Sequence, residues 1–340
     1  MSKLQIDFFQ YIRAIVPVNI SLVDEIAEVL EISNDSAYRR MRGEKLISIE
    51  EIRKLSNHFR ISVDQVLSLE NNSILFSGSL VEPDKFDFLQ YLDNIHKTLL
   101  YITGFSKKEL ICFSKDIPVF YYFMFPELAA FKFFAWMKTF LQFPEYKYSK
   151  FSLAEFPSEF LEQAKKIAAL VCKVPFVEIL NVENIQITLR QIEYYKDTGF
   201  FASQKEYETL YDKLYEMIDL MELQAVSERK FMPGQQPLSS GAPLKLYVND
   251  FVLGDNSMLC VLDDKQMCIF LHNVMNVMMT QDERICNYSF DFIQNLISKS
   301  ILISGVGERE RYIFFNMIRQ RIDAYRQNDV KTLSKPSPYF

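Results

Sequence analysis

Between residues 21 and 67 the chain repeats one local pattern, a serine followed by a short apolar stripe at helical spacing. Ser21 precedes Val23, Ile26, Ala27 and Leu30; Ser33 precedes Ala37 and Met41; Ser48 precedes Ile52, Leu55 and Phe59; Ser62 precedes Val66 and Leu67. Behind Ser21, Ser48 and Ser62, an acidic or amide residue stands three positions on: Asp24, Glu51 and Gln65. A serine hydroxyl at a helix start accepts from an orphan first-turn N–H, and the later side chain can answer to the serine's own amide. Helices this short are marginal alone, so their stripes must meet. The pattern predicts a compact bundle with tight turns.

That spacing carries a resemblance. The segment SLVDEIAEVLEISNDSAYRRMRGEKLISIEEIRKLSNHFRISVDQVL, within residues 4–69, resembles the Cro/C1-type (XRE family) helix-turn-helix of bacterial transcription regulators. IAEVLEIS stands for the first motif helix and turn, NDSAYRRMRGE for the recognition helix and its terminal Gly43, and IEEIRKLSNHFRISVDQVL for the two closing helices. The resemblance implies that the second motif helix enters the major groove of double-stranded DNA. On that basis Asn34, Asp35 and Ser36 are candidate base readers, Arg39 reaches guanine or a phosphate, Arg42 and Lys45 meet phosphates, and Arg40 adds charge to the segment. The sequence departs from the family in three places. Glu31 stands where a turn glycine with positive φ is usual, Val23 where a phosphate-holding glutamine is common, and Arg40 where the residue is usually apolar, so Met41 is expected to fill that space. The acidic Asp24, Glu25, Glu28 and Glu31 nearby motivate a rival reading, an adaptor whose helix-turn-helix no longer binds DNA.

The rest of the 340 residues resembles no family we can name. Residues 71–84 read as a linker, 85–231 as a helical domain, 232–243 (MPGQQPLSSGAP) as a second linker, 244–330 as an α+β domain, and 331–340 as a flexible tail. Within the α+β part, Leu244–Val252, Ser257–Leu262 and Met267–Leu271 read as a meander of strands, with Val274–Met279 as a further candidate. The fold class expected is therefore mainly α: a helix-turn-helix bundle, an all-helical middle and a small C-terminal α+β region with an antiparallel meander.

Function classes narrow on composition. The apolar share of 49% and charged share of 24% are ordinary for a folded chain. Net charge is −6, so any DNA contact must come from a local basic patch. The five cysteines (Cys112, Cys172, Cys260, Cys268, Cys286) lack metal or disulfide spacing and read as reduced, buried thiols. Met1–Arg13 is amphipathic and contains Asp7, unlike a secretory leader, and the apolar run 117–143 is broken by Pro126, Glu127, Lys132 and Lys138, so no membrane span is expected. His58, His96 and His272 are scattered, and no catalytic set or cofactor motif emerges.

Three features of the body stay open. The run VFYYFMFPELAAFKFFAWMKTFL reads as an aromatic core or as an effector pocket, with Lys132 and Lys138 exposed by periodicity. The stripes Tyr207–Leu214–Met221 and Tyr211–Ile218–Ala225 fit a dimer seam or a helix packed in its own domain. Arg309, Arg311, Arg319 and Arg321 read as a basic face, after a turn at Ser304–Gly307. The expectation is a cytoplasmic, homodimeric, DNA-binding transcription regulator, not an enzyme and without a cofactor, whose body dimerises it and takes a small-molecule or protein effector.

Overall fold

The computed structural model describes residues 3–16, 21–59, 61, 63, 74–78, 80–82, 85–237, 241–251, 256–273 and 275–328. These divide into two units, Met1–Leu75 (the head) and Phe76–Phe340 (the body). The helix expected after Ser62 and the tail 331–340 lie outside the described residues.

The head contains α1 (Lys3–Ile15), α2 (Leu22–Leu30), α3 (Asn34–Met41) and α4 (Ile49–Phe59). Phe8, Phe9 and Ile12 of α1 meet Val23, Ile26, Ala27 and Leu30 of α2, Ala37 of α3 and Leu55 of α4 in one buried cluster. The capping serines differ among themselves. Ser48 and Glu51 form a reciprocal box, Ser48 N donating to Glu51 Oε2 at 2.9 Å and Glu51 N to Ser48 Oγ at 3.1 Å. Ser33 Oγ accepts from Ser36 N at 3.3 Å, whereas Ser21 makes no side-chain cap. Helix α2 ends in a left-handed residue, Glu31 at φ 56°, with Ile32 N reaching back to Ala27 O at 2.9 Å. A side chain in that region costs roughly 1 kcal/mol that glycine avoids. Glu31→Gly should therefore protect the head by up to about 1 kcal/mol, read as slower amide exchange confined to α2–α4 in the full-length chain.

The body is built on an eight-stranded mixed sheet of order β1-β7-β6-β5-β2-β3-β4-β8, which overturns the expected mainly-α class with its small β region. In chain order the strands are β1 (Ser77–Gly78), β2 (Lys108–Phe113), β3 (Phe176–Leu180), β4 (Leu244–Val248), β5 (Ser257–Leu262), β6 (Lys265–His272), β7 (Asn276–Thr280) and β8 (Ile301–Leu302). The segment expected to be all helix supplies β2 and β3, two central strands that pair in parallel. The run 244–248 does not join the meander either. It lies parallel to β3, and the meander consists of β5, β6 and β7. The expected linker 232–243 thus connects two parts of one sheet, and 85–231 and 244–330 are one unit.

Helices α5 (Phe88–Thr103), α6 (Val119–Tyr122), α7 (Pro126–Ala135), α8 (Ser158–Val171), α9 (Gln186–Asp197), α10 (Gln204–Ser227) and α12 (Glu308–Arg326) share one buried cluster with Leu110, Phe176, Leu180, Leu244, Leu246 and Cys260 of the sheet. The alternate residues Ile111, Val177, Ile179 and Leu259 pack instead with Cys286, Ile293 and Leu296 of α11 (Glu283–Ser298). The alternation follows from the two-residue strand period.

The open questions of the sequence resolve within this layer. Most of the aromatic run is core: Phe131 and Phe134 sit edge-on to Phe151 and Tyr195, and Phe133 packs with Phe88, Phe123 and Trp136, while Thr139 and Phe140 at its end are exposed. Tyr211, Leu214, Ile218, Met221 and Ala225 of α10 are buried in their own unit, so the stripe is not a free dimer seam. Three of the four arginines of the basic face on α12 are engaged within the body, and Arg309 stays exposed, a loose 3.9 Å from Glu310. Arg311 is buried and donates to the carbonyls of Ile303 and Gly305, Arg319 pairs with Asp219 and Glu222, and Arg321 pairs with Glu183. All five cysteines are buried and free; burial pushes the Cys112 and Cys260 thiols up to about 12, where they stay protonated.

Candidate nucleic-acid interface

Helix α3 presents two unlike faces. Ala37 points into the head core, and Arg40, beside it, is only 5% exposed. The Arg40 guanidinium forks onto Glu51, Nη2 to Oε1 at 2.6 Å and Nε to Oε2 at 3.2 Å, while Nη1 donates to Ser36 Oγ at 2.6 Å. Burial alone would raise the Glu51 carboxyl, but the Arg40 and Ser48 hydrogen bonds, with the charges of Arg40 and Lys45, hold it below the usual range. Gln5 locks the other end: its Nε2 donates to the carbonyls of Arg40 (2.7 Å) and Lys45 (2.8 Å), and its Oε1 accepts from Ile47 N at 3.1 Å. Gly43, at φ 73°, ends the helix in the left-handed region, with Gly43 N bonded to Arg40 O and Glu44 N to Arg39 O.

Two of the residues expected at the interface are therefore turned inward. Arg40 is a buried tie between α3 and α4 and adds no charge to the surface; it fills the usually apolar site with its own stem, leaving Met41 half-buried. Ser36 lends its hydroxyl oxygen and carbonyl to Arg40. The remaining candidates are exposed: Asn34, Asp35 and Arg39 on α3, Arg42 at its end, and Lys45 beyond. Asn34 Nδ2 donates to Asp24 Oδ1 at 2.8 Å, which steadies the carboxamide and leaves a second N–H and its oxygen free to pair. Arg39 has no ion-pair partner among the described residues. Arg42 lies 5.7 Å from the Tyr38 ring centre and a loose 3.9 Å from Glu44, an exposed pair of little strength.

Tyr38, 48% exposed, belongs to the same face and was missed by sequence reasoning. Its place one turn beyond Asn34 and one before Arg42 was the available signal. Asn34, Asp35, Tyr38, Arg39 and Arg42 form a continuous outward strip, a donor, acceptor, aromatic and cationic set suited to base edges and phosphates.

Elsewhere the chemistry is sparse. His58 Nε2 lies 3.0 Å from Glu25 on the head surface. Among the described residues no cluster of histidine, cysteine and carboxylates could hold a metal ion, and no helix is long and apolar enough to cross a membrane. Comparison with protein-family profiles, with curated proteins and with solved structures finds no match to the chain.

Proposed function

We propose that the head binds double-stranded DNA by sequence through the outward strip of α3, and that the protein is a cytoplasmic transcription regulator of the Cro/C1 type. The supporting observation is the contrast between that helix's two sides. Its inner side is tied by Gln5, Ala37 and the Arg40–Glu51 pair, while Asn34, Asp35, Tyr38, Arg39 and Arg42 stay exposed. A rod held this rigidly carries little conformational entropy into the groove. The short turn Glu31–Ser33 sets the angle between α2 and α3 on which groove entry depends. One head makes few contacts, so two heads on half-sites about one helical turn apart are proposed, with the body joining two copies.

Selection of random duplexes on the full-length protein tests the reading; an enriched two-fold motif is expected. Arg39→Ala should then relax preference at one position by about 1–3 kcal/mol. Arg42→Ala should weaken all sequences alike and lower the slope of log affinity against log salt by about 0.9. If no duplex is enriched and neither substitution changes DNA retention, the head is an adaptor and the proposal fails.

A further inference from the structure

A cleft of about 290 Å³ opens on the body between the end of α7 and α9. Its first wall is a π-helical turn, Trp136–Phe140, which continues α7 and is closed by Leu141 N bonding to Trp136 O. Single π turns within helices recur at functional sites, because the extra residue pushes side chains out of the regular ladder. The wall contributes Ala135, Thr139 and Phe140; α9 contributes Ile187, Arg190, Gln191, Tyr194 and Tyr195. Phe140, Ile187 and Tyr194 leave large apolar surfaces exposed at the rim.

The cleft's lining surface is almost wholly apolar, and the one charged side chain along it is Arg190. Arg190 is exposed and has no carboxylate partner among the described residues, unlike Arg319, Arg321 and Arg326 of α12, each of which has one. Gln191, which also lines the cleft, accepts from Lys132 Nζ through Oε1 at 3.1 Å, so its Nε2 is the atom left to donate. The Thr139 and Tyr195 hydroxyls are bonded to one another along the cleft, and no acidic residue lines the space. The Lys132 that fixes Gln191 is buried, contrary to its periodicity. It also bonds Asp116 Oδ2 (2.7 Å) and Thr188 Oγ1 (2.6 Å), and Tyr122 joins the same network.

We infer that this cleft binds a small organic carboxylate with an aromatic or short aliphatic body, its carboxylate held by Arg190 and Gln191. An exposed guanidinium at the cleft's edge, without a carboxylate partner among the described residues, matches a carboxylate in a two-point geometry. The apolar walls take the remainder, and the volume sits at the lower edge of the roughly 300–1,000 Å³ range of ligand pockets, which selects a small acid. The inference concerns the body alone and stands whether or not the head reads DNA.

Trp136, the sole tryptophan, sits in the π turn beside Ala135 of the cleft wall, close enough in the chain to serve as a probe of the turn. Full-length protein titrated with 4-phenylbutyrate, octanoate and benzoate should bind at least one of them with a change in tryptophan emission and a matching calorimetric isotherm. The corresponding amide should bind at least about tenfold more weakly, the cost of one lost charge-assisted contact. Arg190→Gln, a surface change that leaves the core untouched, should weaken the acid by a similar factor and leave the amide unchanged. Ile187→Asp, which sets a carboxylate one helical turn from Arg190 on the same wall, should abolish acid binding. The inference is overturned if none of the acids binds with a dissociation constant below about 1 mM, if acid and amide bind alike, or if Arg190→Gln binds the acid as the parent does.

Discussion

Lys230→Met should destabilise the body by about 4 kcal/mol, the cost of stranding a buried charge. The partner is Glu178, wholly buried in the middle of β3, where every residue is buried. Lys230 Nζ lies 2.7 Å from Glu178 Oε1, and Tyr121 donates to Oε2 at 2.8 Å. Burial first, and then the Glu178 charge, hold the Tyr121 phenol well above its ordinary value, so it remains a donor. The ammonium also sits 3.9 Å from the Tyr121 ring centre, an attraction that grows without competing water. Methionine replaces the stem but not the charge, and leaves the carboxylate with one hydrogen bond. The loss should appear as an earlier chemical-denaturation midpoint with faster exchange in β2 and β3. Removing both charges, Lys230→Met with Glu178→Leu, should recover most of it, because paired burial is close to neutral against an apolar replacement. A single-variant loss below about 1 kcal/mol, the size of an ordinary surface change, would refute the assignment.

Arg40→Ala should cost the head about 3 kcal/mol through the same physics at smaller depth. Glu51, 20% exposed at its side chain, keeps some water when its partner is lost. DNA retention should fall with the head's folded fraction and with no change in base preference among molecules that remain folded, unlike Arg39→Ala. The pair also predicts a pH dependence. Because the folded Glu51 carboxyl lies below its unfolded value, its contribution is complete above the unfolded value near 4.5 and is lost as pH falls through the depressed one. Acid unfolding of the head should therefore shift to higher pH in Glu51→Gln. An unchanged acid midpoint in that variant would falsify the link.

The head was far more legible than the body, for a physical reason. Its elements are set by contacts a few residues apart: Ser48 with Glu51, Ser33 with Ser36, Gly43 at a helix end. Even the left-handed turn at Glu31 followed from the resemblance alone. Arg40 misled because whether an arginine points outward depends on Glu51 across the bundle, eleven residues on. The body was misread where long-range pairing overrode local pattern. The strand KELICF begins with two charges, and FVEIL has a glutamate at its centre whose cation stands in another loop, so neither run advertises a buried central strand. Residues 244–248 look like the first leg of a hairpin, yet their partner is β3, far back in the chain. An effector pocket was one reading of the aromatic run, but its other wall was not legible, because Arg190 and Gln191 lie about fifty residues further on.

The pairing of β2 with β5 and β3 bears on the order in which the molecule is made. A strand at residues 108–113 acquires its two neighbours only after residues 176–180 and 257–262 have been synthesised. Such distant partnerships are slow to close and leave apolar surface waiting meanwhile. The first 75 residues need nothing downstream for the contacts described in them. During translation the head can therefore mature on the ribosome well before the sheet encoded after it. A ribosome-bound chain stalled near residue 150 should already protect α2–α4 from protease, while β2 stays open to cleavage until synthesis passes β5.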